Sequence, residues 1–329
     1  MNYANILKAI GRGVDGAHDL SIADAEQLYA AMLDGGVPEL ELGAIALALR
    51  MKTESVPELI GFYNAVCARL HRLEAPAGKP RPLVIPSYSG TRKQPNLMPL
   101  VALLLERFGV PVLMHGSLDG GGRSASVYVL RELGVLPCAT LGQAQQTLDS
   151  GHLAFVPTAV LSPGLADLLA LKNRLGLRNT AHTIAKLIDP FGGSGVRLAS
   201  VTDPDYLLKL HEFLLVTGES ALLMRSTEGE AFADPRKRPR IELLESGECT
   251  VLFEEEHMTA AASPNAEVDV KATAAWTRKA LKGEVALPLP IVNQLACCLY
   301  ATRYAADFNQ AKAIVALETC NVVTAGCCH

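Results

Sequence analysis

The sequence is poor in aromatic residues and in long apolar runs. Phe, Trp and Tyr make up 5% of its 329 residues, and there is a single Trp. No apolar run approaches the roughly 18 uncharged residues of a membrane span. The N-terminal MNYANILKAIGRG also lacks the apolar core of a signal peptide. We therefore predict a cytoplasmic protein that has no membrane partner and few side chains for stacking nucleic-acid bases.

Metal-ligand motifs are also scarce. None of the 8 cysteines lies in a CxxC motif, the spacing typical of zinc sites, and thiols stay reduced in a long chain that is not secreted. Cys297 and Cys298 lie in an apolar run and are predicted to be helix core. The terminal Cys327-Cys328-His329, with Cys320 upstream, offers a soft-metal site only in principle, because chain ends fray. We expect no metal or other cofactor.

The net charge is mildly negative, but the charges are segregated. The chain has 30 Lys+Arg and 34 Asp+Glu, a balance of −4 that argues against general attraction to nucleic acid. Three stretches, 75–105, 168–188 and 235–241, hold 12 of the 30 basic residues and no acid. The remainder therefore carries 18 basic against 34 acidic residues, or −16. Such stretches are often ordinary solvated surface, but they also suit a phosphate backbone.

The apolar pattern changes near residue 74. Residues 1–73 show helical spacing, with capping-box starts at Ser21 and Ser55, and 74–82 is rich in Pro and Gly. Beyond this segment short apolar runs alternate with helical stretches, which is typical of an α/β domain with a mainly parallel sheet. We predict strands at 83–85, 110–114, 153–156, 197–201 and 221–224, further edge strands at 241–244 and 250–253, and helices at 97–108, 126–133, 163–175, 204–216, 267–282, 290–304 and 307–318.

Several segments at matching spacing resemble the anthranilate phosphoribosyltransferases of glycosyltransferase family 3. The resemblance covers nearly the whole chain, and other motifs are typical of the divergent YbiB-type branch of that family. It implies a helical domain at 1–74 that mediates dimerisation, an α/β domain at 75–329, and a basic cleft at their junction. The resembling segments are 42–62, 75–80, Asn96, His115-Gly116, 130–134 and 174–182; those typical of the branch are 85–97, 177–187, 227–230 and 296–302.

The same resemblance indicates that the phosphate and metal machinery of the transferases is missing. Transfer from phosphoribosyl pyrophosphate needs a glycine loop, a lysine and Mg²⁺-binding carboxylates. The family's GTGGD loop falls on 86–90, where only the hydroxyl of Ser87 is retained and Pro86 has no N–H. Its Asp-Glu pair falls on 231–232, which are Ala and Phe, and leaves Glu228 and Glu230 as weak metal candidates.

Other positions that bind phosphate or substrate in the family also carry different residues in this sequence. The lysine before the His-Gly pair is Met114, a second lysine is Arg123, and the arginine that meets anthranilate is Lys172. Ser87, Asn96, His115 and Gly116 remain as a remnant substrate pocket, and structural roles are favoured for Asn96 and His115-Gly116.

We hypothesise a homodimer that binds DNA without sequence specificity and does not catalyse the family reaction. No helix-turn-helix, zinc-finger or RNP signature is present, and Tyr88 is the best stacking candidate. One alternative is an active glycosyl- or phosphoribosyltransferase with an altered donor or acceptor, which would need Mg²⁺; another is an interaction scaffold that uses the helical faces of 38–72 and 290–318. The predicted phosphate contacts are Arg92, Lys93, Arg123, Lys172, Arg174, Arg178 and Lys186.

Overall fold

The computed structural model describes residues 2–13, 16–258 and 268–325, with side chains described as far as residue 318. The terminal Cys327-Cys328-His329 and the side chain of Cys320 lie outside this description. No helix in the described part of the chain is long and apolar enough to cross a bilayer.

The elements are numbered in chain order within the described residues. The helices are α1 (Tyr3–Ile10), α2 (Ile22–Leu33), α3 (Glu39–Lys52), α4 (Val56–Cys67), α5 (Met98–Arg107), α6 (Ser126–Glu132), α7 (Leu141–Asp149), α8 (Thr158–Leu161), α9 (Pro163–Ala170), α10 (Lys172–Leu175), α11 (Ala181–Ile184), α12 (Pro204–Thr217), α13 (Val270–Lys282), α14 (Leu289–Ala301) and α15 (Phe308–Ala325). The strands are β1 (Leu83–Ser87), β2 (Val112–Gly116), β3 (Ala154–Pro157), β4 (Val196–Val201), β5 (Ala221–Arg225), β6 (Lys237–Arg238), β7 (Ile241–Glu245), β8 (Glu248–Phe253) and β9 (Glu256–His257).

The chain divides into two compact units. The helical unit contains the described residues up to Arg72 together with Thr158–Pro190, and the α/β unit contains Leu73–Pro157 together with the described residues from Phe191 onward. The predicted division at residue 74 therefore describes the N-terminal helices but not the segment 158–190. This segment groups with the helices because α9 packs on α2 and α11 on α4, contacts that apolar spacing along the chain does not reveal.

The helical unit is built around the packing of α2 on α4. Tyr29 and Phe62 stack at 4.8 Å between ring centroids in its core. The predicted helix starts are confirmed: the Ser21 hydroxyl accepts from the Asp24 N–H, and Ser55 opens a capping box. The predicted helix at 163–175 is instead two segments, α9 and α10, which are separated at Leu171.

The α/β unit contains the predicted, mainly parallel sheet. Its seven strands within the described residues run in the order β3-β2-β1-β4-β5-β7-β8. The first five pair in parallel, whereas β7 is antiparallel to β5, and β8 is antiparallel to β7. The edge strands at 241–244 and 250–253 are thereby confirmed. Cys297 and Cys298 are buried on α14, as predicted. Helix α7, opened by a Thr140 cap, and the short β6–β9 ladder are additions to the prediction.

The pairing of β1 with β2 brings their carboxyl ends together. Ser87 lies opposite Gly116 in the parallel register, and a Cβ at Gly116 would lie 1.9 Å from the Ser87 carbonyl oxygen. Only glycine permits this approach. Loops at the carboxyl ends of parallel strands commonly carry binding residues, and the loop after β1 (residues 88–95, hereafter the β1 loop) is where the candidate site begins.

Candidate functional site

The β1 loop folds around the carboxylate of Glu230, which is fully buried. Its Oε1 accepts hydrogen bonds from the backbone N–H groups of Ser89 at 2.8 Å and Gly90 at 2.7 Å. Its Oε2 accepts from the hydroxyls of Ser87 at 2.8 Å and Ser126 at 3.1 Å. A buried carboxylate is tolerated only when such donors replace the water that it loses. These four donors supply that replacement.

Glu228 binds the next part of the β1 loop. Its two carboxylate oxygens accept from the backbone N–H groups of Arg92 at 2.8 Å and Lys93 at 3.0 Å. A tight turn directs both acids at the loop, since Thr227 and Glu230 exchange two backbone hydrogen bonds of 3.0 Å and Glu228 has a φ of 53°. Four backbone N–H groups of the β1 loop are therefore bound to the chain's own carboxylates. Two of them, those of Ser89 and Gly90, lie within 86–90, where the family resemblance places the phosphate-binding loop.

The retained Asn96 is a buried structural residue. Its Nδ2 donates to the Ser124 carbonyl at 2.9 Å and the Ser126 hydroxyl at 3.1 Å, and its Oδ1 accepts from the Met98 N–H at 3.1 Å. The side chain thus accepts from the first N–H of α5 and holds the loop before α6.

His115, at the carboxyl end of β2, is fully buried and held by Tyr88. The Tyr88 hydroxyl and the His115 Nδ1 lie 2.8 Å apart, and the two rings meet edge to face at 5.6 Å. Among the described residues the His115 Nε2 has no hydrogen-bond partner. Burial lowers the pKa of His115 to about 3, so the imidazole is neutral. Tyr88, predicted as a base-stacking candidate, is half-buried and has this hydroxyl engaged.

Three of the predicted phosphate contacts lie close together in the α/β unit. Thr91 and Ser124 form an antiparallel bridge, with backbone hydrogen bonds of 3.1 and 3.0 Å, which brings Arg92 and Lys93 beside Arg123. Arg92 and Lys93 are exposed and Arg123 is half-buried. No carboxylate of the described part of the chain forms an ion pair with any of these three side chains. We call Arg92, Lys93 and Arg123 the loop cluster.

The other four predicted contacts lie in the helical unit, and three of them surround His182. Burial, followed by the positive charges of Arg178, Lys172 and Lys186, lowers the pKa of His182 to about 3. The charges of all three cations therefore act on this one buried imidazole. Lys172 is half-buried and Arg178 exposed, whereas Lys186 is buried.

Arg174, the fourth contact in this unit, is engaged within the protein. Its guanidinium donates to both carboxylate oxygens of Glu39 at 3.1 and 3.2 Å, an exposed pair that lowers the pKa of Glu39. We call Lys172, Arg174, Arg178 and Lys186 the helical cluster. Its members differ in accessibility, a property that the sequence does not reveal.

The third acid-free stretch, 235–241, is neutralised in the structure. Its cations face the flanking carboxylates of Asp234 and Glu242 and those of the segment 254–256, which lies opposite it through the β6–β9 ladder. The acid-free span hides these partners, because two of them flank it and the other three come from a separate segment of the chain. The ion pairs are Arg236–Asp234 at 2.9 Å, Lys237–Glu255 at 2.6 Å, Arg238–Glu256 at 2.6 Å, Arg240–Glu242 at 2.7 Å and Arg240–Glu254 at 2.9 Å.

A helical unit and an α/β unit with a mainly parallel sheet together define a phosphoribosyltransferase-type fold. Residues 4–69 match the family model described as the glycosyl transferase family, helical bundle domain. A crystal structure of anthranilate phosphoribosyltransferase from Thermus thermophilus aligns with a TM-score of 0.74 at 21% identity, over 99% of this chain and 95% of that one. At that identity the alignment shows the fold alone.

Sequence relatives define the family more narrowly. The uncharacterized protein YbiB of Escherichia coli (strain K12) is 42% identical over 316 residues, which are 96% of this chain and 99% of that protein. An anthranilate phosphoribosyltransferase of Methylocella silvestris is 26% identical over 239 residues, 72% of this chain and 67% of that enzyme. The chain belongs to the anthranilate phosphoribosyltransferase-like proteins of glycosyltransferase family 3, in the branch that contains YbiB.

Proposed function

We propose that this chain is a cytoplasmic homodimer that binds nucleic acid, DNA in the first instance, without sequence specificity. We further propose that it does not catalyse phosphoribosyl transfer. The observation that carries the proposal is the β1 loop, whose backbone N–H groups are bound by Glu228 and Glu230 while its Arg92 and Lys93 side chains are exposed.

The absence of transferase activity is supported by the competition for the β1 loop. A phosphate that approached the N–H groups of Ser89 and Gly90 would have to displace the buried carboxylate of Glu230. Mg²⁺ would meet a similar obstacle, because all four oxygens of Glu228 and Glu230 already accept hydrogen bonds. Since Mg²⁺ demands near-octahedral oxygen ligands and dehydrates reluctantly, these acids suit the loop better than a metal.

Nucleic-acid binding is supported by cations whose side chains form no ion pair within the described part of the chain. The side chains of the loop cluster form no ion pair with the described residues, whereas those of 235–241 are neutralised. A phosphate backbone supplies the missing negative charge and releases bound counterions. With one Trp in the chain and Tyr88 engaged with His115, base stacking contributes little. Contacts to the backbone carry no sequence information.

The homodimer is supported by an apolar face on the helical unit. Leu40 and Met51 on α3 are 82% and 61% exposed. Leu40, together with Leu47, Leu175 and Leu177, borders an open groove of about 440 Å³. Exposed apolar patches of this kind mark association surfaces. A second copy of the chain would cover this face.

The test is a titration of a fluorescently labelled duplex at several salt concentrations. Each phosphate contact contributes about −0.9 to the slope of log affinity against log salt. The double variant Arg92→Ala/Lys93→Ala should therefore reduce the magnitude of the slope by about 2. Lys271→Ala/Lys279→Ala, two exposed lysines on α13, removes the same charge and should leave the slope unchanged.

Two results would contradict the proposal. Equal slopes for both double variants would show that the loop cluster does not contact phosphate, and a salt-independent affinity would exclude backbone binding altogether. Calorimetry with phosphoribosyl pyrophosphate and Mg²⁺ tests the second part: saturable, Mg²⁺-dependent binding would favour the transferase alternative.

A further inference from the structure

Three potential metal ligands converge in the α/β unit, away from the β1 loop. His211 comes from α12, Glu242 from β7 and Cys249 from β8, and one ligand atom of each lies within 4.8 Å of the other two. The His211 Nε2 and the Glu242 Oε2 are 3.8 Å apart. His211 and Glu242 are half-buried and Cys249 is exposed, so the group can be reached from solvent.

The sheet register explains this convergence. β7 and β8 are antiparallel, with Leu244 opposite Cys249. Because side chains alternate along a strand, Glu242 shares a face with Leu244 and therefore with Cys249. Helix α12 packs on β7 and supplies His211. The three side chains are thus fixed by regular elements, which hold ligands more firmly than loops do.

We propose that His211, Glu242 and Cys249 bind one divalent ion of the zinc class, with the fourth position open to water. Imidazole nitrogen, thiolate sulfur and carboxylate oxygen are the ligands of tetrahedral Zn²⁺. The thiol proton passes to solvent on binding, and the thiolate and the carboxylate then balance the two charges of the ion. Zn–ligand bond lengths place tetrahedral ligand atoms about 3.4 to 3.6 Å apart, which small side-chain rotations achieve from the separations found here.

Arg240 prepares the carboxylate for this role. Its Nε donates to the Glu242 Oε1 at 2.7 Å, which leaves the Oε2, the oxygen nearest His211, for the ion. Such hydrogen bonds outside the coordination sphere orient carboxylate ligands and tune their affinity. This pairing also makes a monodentate carboxylate the expected mode.

Cobalt titration of the full chain tests the site directly, because thiolate-bound Co²⁺ absorbs in the near ultraviolet. Cys327→Ser/Cys328→Ser serves as the parent protein, since the terminal thiols would compete. We expect one equivalent of Co²⁺ with a thiolate band, which Zn²⁺ displaces. Cys249→Ser in this parent should abolish the band.

Two histidine variants separate the site from general surface binding. His211→Ala should weaken Co²⁺ binding by at least about tenfold. His152→Ala is the matched control, because His152 faces a carboxylate, Glu106 at 3.2 Å, but the pair belongs to no such three-ligand group within the described residues. His152→Ala should leave the affinity and stoichiometry of Co²⁺ binding unchanged. A band that survives Cys249→Ser, or no stoichiometric Co²⁺ binding in a folded parent, would overturn the proposal.

A second measurement needs no variant. Alkylation of the unaltered chain, followed by peptide mass spectrometry, should show Cys249 reacting at least about tenfold more slowly when Zn²⁺ is present. Cys67, the other described cysteine that is not buried, should react at the same rate with and without Zn²⁺. Equal rates at Cys249 under both conditions would refute the site regardless of how the variants fold.

Discussion

Removing the Glu230 carboxylate should destabilise the α/β unit strongly. Glu230→Ala leaves the two backbone N–H groups and the two hydroxyls that surround this carboxylate without their acceptor. Each buried donor left unsatisfied costs about 1–3 kcal/mol. Hydroxyl rotation and water that enters the vacated space recover part of this. We therefore expect the free energy of unfolding to fall by about 3–5 kcal/mol.

The isosteric Glu230→Gln separates charge from shape. Its amide oxygen can still accept from Ser89 and Gly90, and the Ser87 and Ser126 hydroxyls can reverse to accept from its NH₂ group. Hydrogen bonds to a charged group are roughly twice as strong as neutral ones. The loss should therefore be about 1–2 kcal/mol.

Urea unfolding followed by Trp276 fluorescence is the assay. Trp276 is the single Trp of the chain and packs half-buried on the core of the α/β unit, so it reports on the unit that contains Glu230. Glu248→Ala, an exposed acid on β8, is the control and should stay within about 0.5 kcal/mol of the parent. If Glu230→Ala unfolds within about 1 kcal/mol of this control at an unchanged denaturant slope, the carboxylate does not hold the β1 loop and the reasoning is refuted.

Two further predictions concern a buried histidine and the neutralised stretch. His115 has a pKa of about 3 in the folded protein and of about 6.5 in the unfolded chain. Its neutral form therefore contributes fully to the free energy of unfolding above about pH 6.5, and this contribution is lost as the pH falls. Between pH 7.5 and 5.5 the loss is about 1.4 kcal/mol; His115→Asn should remove this part of the acid sensitivity of the urea midpoint, and the exposed His152→Asn should retain it. Arg236→Gln should leave the salt slope of duplex binding within about half a contact of the parent, because an aspartate already pairs with that arginine; a larger change in the titration would show that stretch 235–241 meets phosphate.

The fold was largely predictable because its signals are local. Helical spacing, the Ser55 capping box and the alternation of short apolar runs with helices each depend on neighbouring residues, and the strands and main helices follow them. The structural features that the sequence did not predict have a different origin. Helix α7 carries little apolar surface, and the break at Leu171 and the grouping of 158–190 with the N-terminal helices depend on packing against distant elements.

The candidate site was only partly predictable. The family resemblance placed Pro86 where the relatives have the glycine loop, and the acid-free stretches were visible as a pattern of charge. The bonding of Glu228 and Glu230 to the β1 loop was not visible, because about 140 residues separate Glu230 from the N–H groups of Ser89 and Gly90. A hydrogen bond across such a separation has no periodic signal in the sequence.

The sequence by itself determined the two kinds of domain, the parallel sheet and the segregation of charge, since each depends on residue type and short-range spacing. The departures from the family's phosphate motifs are what its resemblance to that family implies. Tertiary structure decided which charges remain available. It paired three of the four cations of 235–241 with acids of 254–256, buried Lys186, and left Arg92 and Lys93 exposed while their backbone held Glu228. The physical reason is that Coulomb interaction and desolvation depend on distance in space, which only the folded chain defines.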